Sequence, residues 1–136
     1  MRKVLLAMAG LAVLAACSPA SDLPEADAAI TAFHQKLNAG DFDGIYNAAA
    51  PQFQSAATRV DHDQLMAAIH RKLGAFQSGS SQSWNDSVTT AGHVLTIGYA
   101  AKYERGAALE NFVYRLDGGK AMLMGYHVNS NALIVN

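Results

Sequence analysis

A single carboxylate in the second half of the chain is the residue best suited to acid-base chemistry. Glu110 alternates with Phe112 and Tyr114 in strand-like sequence, so the three side chains are expected on one face of a sheet. A carboxylate among aromatic rings loses solvation, which shifts its pKa and suits it to act as a general acid or base. The sequence favours a plainer interpretation, in which Glu110 lies at the sheet rim and bonds a helix end or a basic group.

Tyrosines in three neighbouring predicted strands are candidates for a ligand pocket. Tyr99, Tyr114 and Tyr126 each combine an apolar ring with a polar tip, which suits a small, mainly apolar ligand. Aromatic residues in strands also pack simply in cores and on sheet surfaces, and the sequence favours that role.

The histidines do not have metal-site spacing. Asp61, His62 and Asp63 are consecutive at a predicted helix start and so point in different directions. His62 and His70 are two helical turns apart, too far to share one ion, and His34 is expected at the edge of the core. We therefore predict no metal and no cofactor.

Several functional classes lack their sequence motifs. The chain has no Gly-x-Ser-x-Gly, no Ser-x-x-Lys and no glycine-rich phosphate loop. Its basic residues are scattered, with no interleaving of aromatic and basic positions, so no nucleic-acid partner is expected. These observations point away from an enzyme, without excluding one that relies on Glu110.

The first residues have the pattern of an export signal. Arg2 and Lys3 precede an uncharged apolar run over 4–16, which is shorter than the roughly 20 residues needed to span a bilayer core. Cys17 follows directly. The end of this run, Leu14-Ala15-Ala16-Cys17, resembles the lipobox of bacterial lipoproteins.

That resemblance implies removal of residues 1–16 and acylation of Cys17, which anchors the chain to a lipid bilayer. Residues 17–23 would then form a lipidated tether, and 24–136 a single domain. By the same resemblance, Ser18 after the cysteine favours the outer membrane of a Gram-negative cell, with the domain facing the periplasm. Without Arg2 and Lys3 the basic residues fall from 10 to 8 against 11 acidic ones, so the mature net charge is -3.

Hydrophobic periodicity predicts helices in the first half of the mature chain. Pro24 starts a helix over about 24–38 that Gly40 ends. Asp41 caps a second, shorter helix, and Pro51 either ends it or starts another turn. A capping box of Asp61 and Gln64 predicts a third helix over about 61–76.

The period then changes to that of strands. Four strands are predicted over 84–90, 93–104, 107–116 and 120–129, separated by short glycine-containing turns. Because such short connections join antiparallel neighbours, the predicted fold class is α+β, with N-terminal helices packed against a curved four-stranded antiparallel meander.

This order of elements, with the stretches Phe33 to Phe42, Ala108 to Phe112 and Leu123 to Val128, resembles the cystatin-like, nuclear-transport-factor-2-like superfamily, in its branch of small envelope proteins of unknown function. The resemblance implies a pocket between sheet and helices, and allows a homodimer through the sheet.

Three functions remain open. The leading expectation is a non-enzymatic envelope module that binds a protein partner or a small apolar ligand. The alternatives are a small hydrolase or isomerase that uses Glu110, and a structural envelope protein that acts by protein contacts alone.

Overall fold

A computed structural model describes residues 22–90 and 92–135 of the chain. The predicted leader and Cys17 lie outside the described residues. Within them, helices are followed by an open four-stranded antiparallel sheet, which confirms the α+β class. The elements are α1 (Leu23–Ala39), α2 (Phe42–Ala48), α3 (Pro51–Ala56), α4 (Arg59–Leu73), β1 (Phe76–Thr89), β2 (Gly92–Tyr103), β3 (Gly106–Asp117), β4 (Lys120–Asn129) and α5 (Ala132–Val135).

Helix α1 forms where the sequence predicts it and supplies one side of the core. Its buried residues recur at helical spacing and face the sheet, where the Phe33 ring contacts Phe112 and Tyr126. Gly40 ends the helix in the left-handed region at φ 70°, a conformation that a side chain disfavours. Among the described residues, the buried hydrophobic core extends from Ala26 to Ala132.

The predicted start of the third helix is two residues too late, and the predicted cap is wrong. Helix α4 begins at Arg59, and Thr58 is its N-cap, because the Thr58 hydroxyl accepts a hydrogen bond from the Asp61 backbone N–H. The Asp61 carboxylate accepts a bond from that same hydroxyl at 2.7 Å. Asp61 thus occupies the third helical position and not the cap. The helix also ends earlier than predicted, at Leu73, where Gly74 has a φ of 74°.

The first strand is longer than predicted. Strand β1 begins at Phe76 and includes the serine- and glycine-rich stretch 78–81, which the sequence pattern indicates as a break. As an edge strand it is held by main-chain pairing with β2, so it needs no alternation of apolar side chains. Gly79 fits there because a Cβ would lie 2.7 Å from the Ala100 carbonyl oxygen and collide with the Tyr99 ring.

The sheet order is β1-β2-β3-β4, and each strand pairs with the next along the chain. In this register Tyr99 lies opposite Glu110, and Phe112 lies opposite Tyr126. These pairs are on the face covered by helix α1, so the register places the side chains of Tyr99, Glu110 and Tyr126 on the same face of the sheet. Among residues 22–90 and 92–135, no helix is both long and apolar enough to cross a membrane.

Candidate functional site

Glu110 is buried in the core and does not lie at the sheet rim. Its side chain has 0% exposure. Oε1 accepts hydrogen bonds from the hydroxyls of Tyr103 and Tyr126, both at 2.6 Å. Oε2 lies 2.8 Å from Nε2 of His34. We call these four residues the Glu110 cluster.

Four elements contribute one residue each to the Glu110 cluster. Strand β3 carries Glu110, and the flanking strands β2 and β4 carry Tyr103 and Tyr126 on the same face. Helix α1 carries His34, one position after the core residue Phe33. The sequence interpretation expects Glu110 at the sheet rim, bonded to a helix end or a basic group. The structure instead places it in the core, where its partners are a histidine of α1 and two tyrosine hydroxyls.

The His34 ring is enclosed by aromatic side chains. Its ring stacks on Phe76 at 3.7 Å between centroids, and its Nδ1 is buried without a hydrogen-bond partner among the described residues. Nε2 is therefore the ring nitrogen that reaches Glu110, and it donates in this contact because a carboxylate can only accept.

The tyrosines of the cluster are held as hydrogen-bond donors. Burial raises the pKa of Tyr103 and Tyr126 above the ordinary value of 10, and the Glu110 carboxylate raises both pKa values further. The pKa of Tyr114, which lies outside the cluster, is also raised, mainly by burial and to a smaller extent by the negative charge of Glu110. The hydroxyls of Tyr103 and Tyr126 therefore keep their protons and stabilise the buried carboxylate through hydrogen bonds. A carboxylate that accepts three bonds in a closed environment is poorly placed to take a proton from a substrate.

The three tyrosines predicted to line one pocket lie in three different environments. Tyr126 belongs to the Glu110 cluster. Tyr114 lines a small apolar pocket of about 130 Å³ between α1, α2 and strands β3 and β4. Tyr99 borders a groove of about 380 Å³ that crosses the sheet with exposed residues such as Asn111 and His127. Glu110 also belongs to the lining of this groove, but its enclosed carboxylate lies beneath the surface.

His62, near the start of α4, does not converge with Asp61 and Asp63 on a metal site. His62 is buried against the rings of Tyr46 and Phe53, and its Nδ1 bonds the Asp63 carboxylate at 3.0 Å. Asp61 bonds Thr58 instead.

Sequence reasoning missed a different group of residues. Asp22, Asp86 and His93 place their potential ligand atoms within 4.8 Å of one another at the start of α1 and across β1 and β2. His93 Nε2 lies 2.5 Å from the Asp86 carboxylate and 3.7 Å from that of Asp22, so a hydrogen bond to Asp86 accounts for this group without a metal ion. Only the antiparallel register of β1 and β2 could have revealed the Asp86 and His93 pair.

Comparison with known proteins adds no family assignment. No family model matches the chain, and no curated protein matches it.

Proposed function

We propose that this chain is a lipid-anchored envelope protein whose folded domain binds a small apolar ligand and does not use Glu110 as a catalyst. The enclosure of the Glu110 carboxylate carries this proposal. Its two oxygens accept three internal hydrogen bonds and its side chain is unexposed, so a substrate has no direct access to it. The cluster is better suited to joining α1 to three strands than to turnover.

The apolar pocket between α1, α2, β3 and β4 supports the binding function. It is lined by four alanines, whose short side chains leave space between larger core residues: Ala29, Ala32, Ala48 and Ala121. Ligand sites are usually concave, mostly apolar and preformed, with few polar groups. This pocket has those properties, although it is small.

The sequence pattern at the start of the chain supports a location in the cell envelope. We propose that Cys17 is acylated and anchors the domain to the outer membrane, facing the periplasm, with the segment between Cys17 and helix α1 as the tether. The order of helices followed by an antiparallel sheet supports membership of the cystatin-like, nuclear-transport-factor-2-like superfamily. Replacement of Cys17 by serine in the full chain should abolish incorporation of radiolabelled palmitate into the protein. Labelling of the Cys17→Ser chain would overturn the anchor.

Native mass spectrometry of the domain that starts at Ser18 tests the binding function, because this segment contains the whole described core. A retained small molecule, lost when Ala121→Leu fills the pocket, is the expected result. Ala107→Leu is the matched control, because Ala107 is exposed on β3. Retention by both variants would place the ligand elsewhere.

One observation favours the alternative enzymatic function: the Glu110 carboxylate is buried among tyrosines. A Glu110→Gln protein that folds but loses a measured hydrolase or isomerase activity would establish it. A protein that neither retains a ligand nor shows activity, but is recovered with an envelope protein, would have the structural role.

A further inference from the structure

The apolar pocket has a size that restricts its ligand. Its volume is about 130 Å³. A dry protein cavity of roughly 150 Å³ accepts benzene. The ligand portion inside the pocket is therefore about one aromatic ring or a short branched chain, enclosed by the side chains of Phe33, Tyr114 and Leu123.

One charged residue lines this pocket. Lys36 lies in the last turn of α1, and its ammonium donates to the carbonyl oxygen of Gly44 at 3.3 Å. Gly44 precedes Ile45, another lining residue, so the ammonium lies on the α2 side of the pocket.

The charge of Lys36 is not matched by a carboxylate in the part of the chain described here, since it forms no ion pair with a described acidic residue. The Gly44 carbonyl uses one of the three N–H donors of the ammonium. Lys36 also interacts favourably with the C-terminal end of the α1 dipole, but a dipole leaves the net charge in place. A half-buried cation beside an apolar pocket is complementary to an anionic group attached to an apolar body.

We propose that the pocket binds a small apolar carboxylic acid, with its ring or chain against Phe33 and Tyr114 and its carboxylate on Lys36. This inference rests on the proposed ligand-binding function and specifies the chemistry of the ligand. The acid must have its carboxylate directly beside the apolar group, because Lys36 is itself part of the lining.

Two probes of equal size and different charge test this inference. Benzoate and benzyl alcohol are titrated into the Ser18 domain, and binding is followed by NMR through the methyl groups of Ala32, Ala48 and Ala121. Both probes are expected to shift these methyl signals. Benzoate is expected to bind about tenfold more tightly, the order expected for one charge-assisted hydrogen bond.

Substitutions at Lys36 identify the origin of the preference. Lys36→Gln keeps a donor for the Gly44 carbonyl but removes the charge, so benzoate and benzyl alcohol should then bind within about twofold of each other. Lys36→Arg should retain the preference, and so should the control Lys102→Gln, because Lys102 is an exposed residue of β2. If Lys36→Gln does not fold, loss of the wild-type preference in 0.5 M salt provides the same evidence of charge.

The results separate this inference from the proposed function. Equal affinities for the two probes in the wild type, or a preference that survives Lys36→Gln, would overturn the acid-binding inference while the pocket remained a ligand site. If neither probe shifts the pocket methyl signals and the purified domain carries no ligand, both the inference and the proposed function fail.

Discussion

His34 Nε2 lies 2.8 Å from Oε2 of Glu110, and this contact joins helix α1 to the middle of the sheet across 76 residues of sequence. Both side chains are almost fully buried. A charge in such a position is costly unless it is hydrogen-bonded, and Glu110 meets that condition with three donors. The contact therefore fixes the position of the helix over the sheet and bears directly on stability.

Glu110→Gln should lower the free energy of unfolding by about 2 to 4 kcal/mol. The amide nitrogen would replace one acceptor with a donor that faces hydroxyl or imidazole donors, leaving buried groups unpaired. Urea unfolding measures the change. Asp117→Asn is the control, because that carboxylate is exposed at the end of β3, and it should have little effect. A Glu110→Gln protein as stable as the wild type would contradict the structural role of the cluster.

Tyr126→Phe should destabilise the protein by about 1 to 3 kcal/mol, since it removes one bond to a charged acceptor. Tyr114→Phe is a matched comparison. Tyr114 is also buried on the helix-covered face, but no hydrogen bond joins its hydroxyl to another described residue. Its substitution should change unfolding by less than about 0.5 kcal/mol. Equal effects of the two substitutions would mean that the Tyr126 bond contributes nothing specific.

The domain should lose stability steeply above about pH 10. The folded-state pKa values of Tyr103, Tyr114 and Tyr126 are raised, whereas in the unfolded chain these groups titrate near 10. The folded protein thus binds more protons, so stability is fully present below pH 10 and falls as pH rises. Each such tyrosine contributes a loss of up to about 1.4 kcal/mol per pH unit.

Urea unfolding between pH 8 and 12, with phenolate absorbance as a second signal, measures this loss. Tyr103→Phe should reduce the slope, because it removes one titrating group. A slope that Tyr103→Phe leaves unchanged would show that this tyrosine titrates normally in the folded state.

The sequence predicts the fold class well because periodicity and turn residues are local signals. Helix α1 and the last three strands lie within a few residues of their predicted bounds. The early part of β1 could not be found in this way. Its stability depends on pairing with β2, as between Ser81 and Tyr99, and not on its own apolar residues.

The sequence predicts the side of the sheet on which Glu110 lies, but not the residues that it contacts. Strand parity correctly places Glu110 with Phe112 and Tyr114 on one face. The partner His34 could not be identified, because the rotation of α1 over the sheet depends on long-range packing. Without that partner, an acidic residue in a strand is more simply interpreted as exposed.

The cap of helix α4 gives a sharp test of the structure against the sequence pattern. Thr58→Ala should cost about 1 kcal/mol of unfolding free energy, because it removes the acceptor for the Asp61 N–H. Thr58→Ser keeps the hydroxyl and should have a smaller effect. If Asp61 were the cap, as the sequence pattern predicts, Thr58→Ala would have almost no effect in urea unfolding.

Gly79→Ala should destabilise β1 through contact with its neighbouring strand, by about 1 to 3 kcal/mol. The added methyl would meet the Tyr99 ring and the Ala100 carbonyl oxygen, and the backbone atom has little freedom to move within the paired sheet. Removal of the ring in a Tyr99→Ala background should relieve part of the clash, so the two substitutions together should cost less than the sum of their separate effects. Additive effects in urea unfolding would show that Tyr99 does not cover Gly79.

Gly118→Ala is the matched control. The added methyl group would meet no atom within 4 Å, so its cost comes only from backbone strain at a φ of 56°. The effect of Gly118→Ala should therefore not depend on Tyr99.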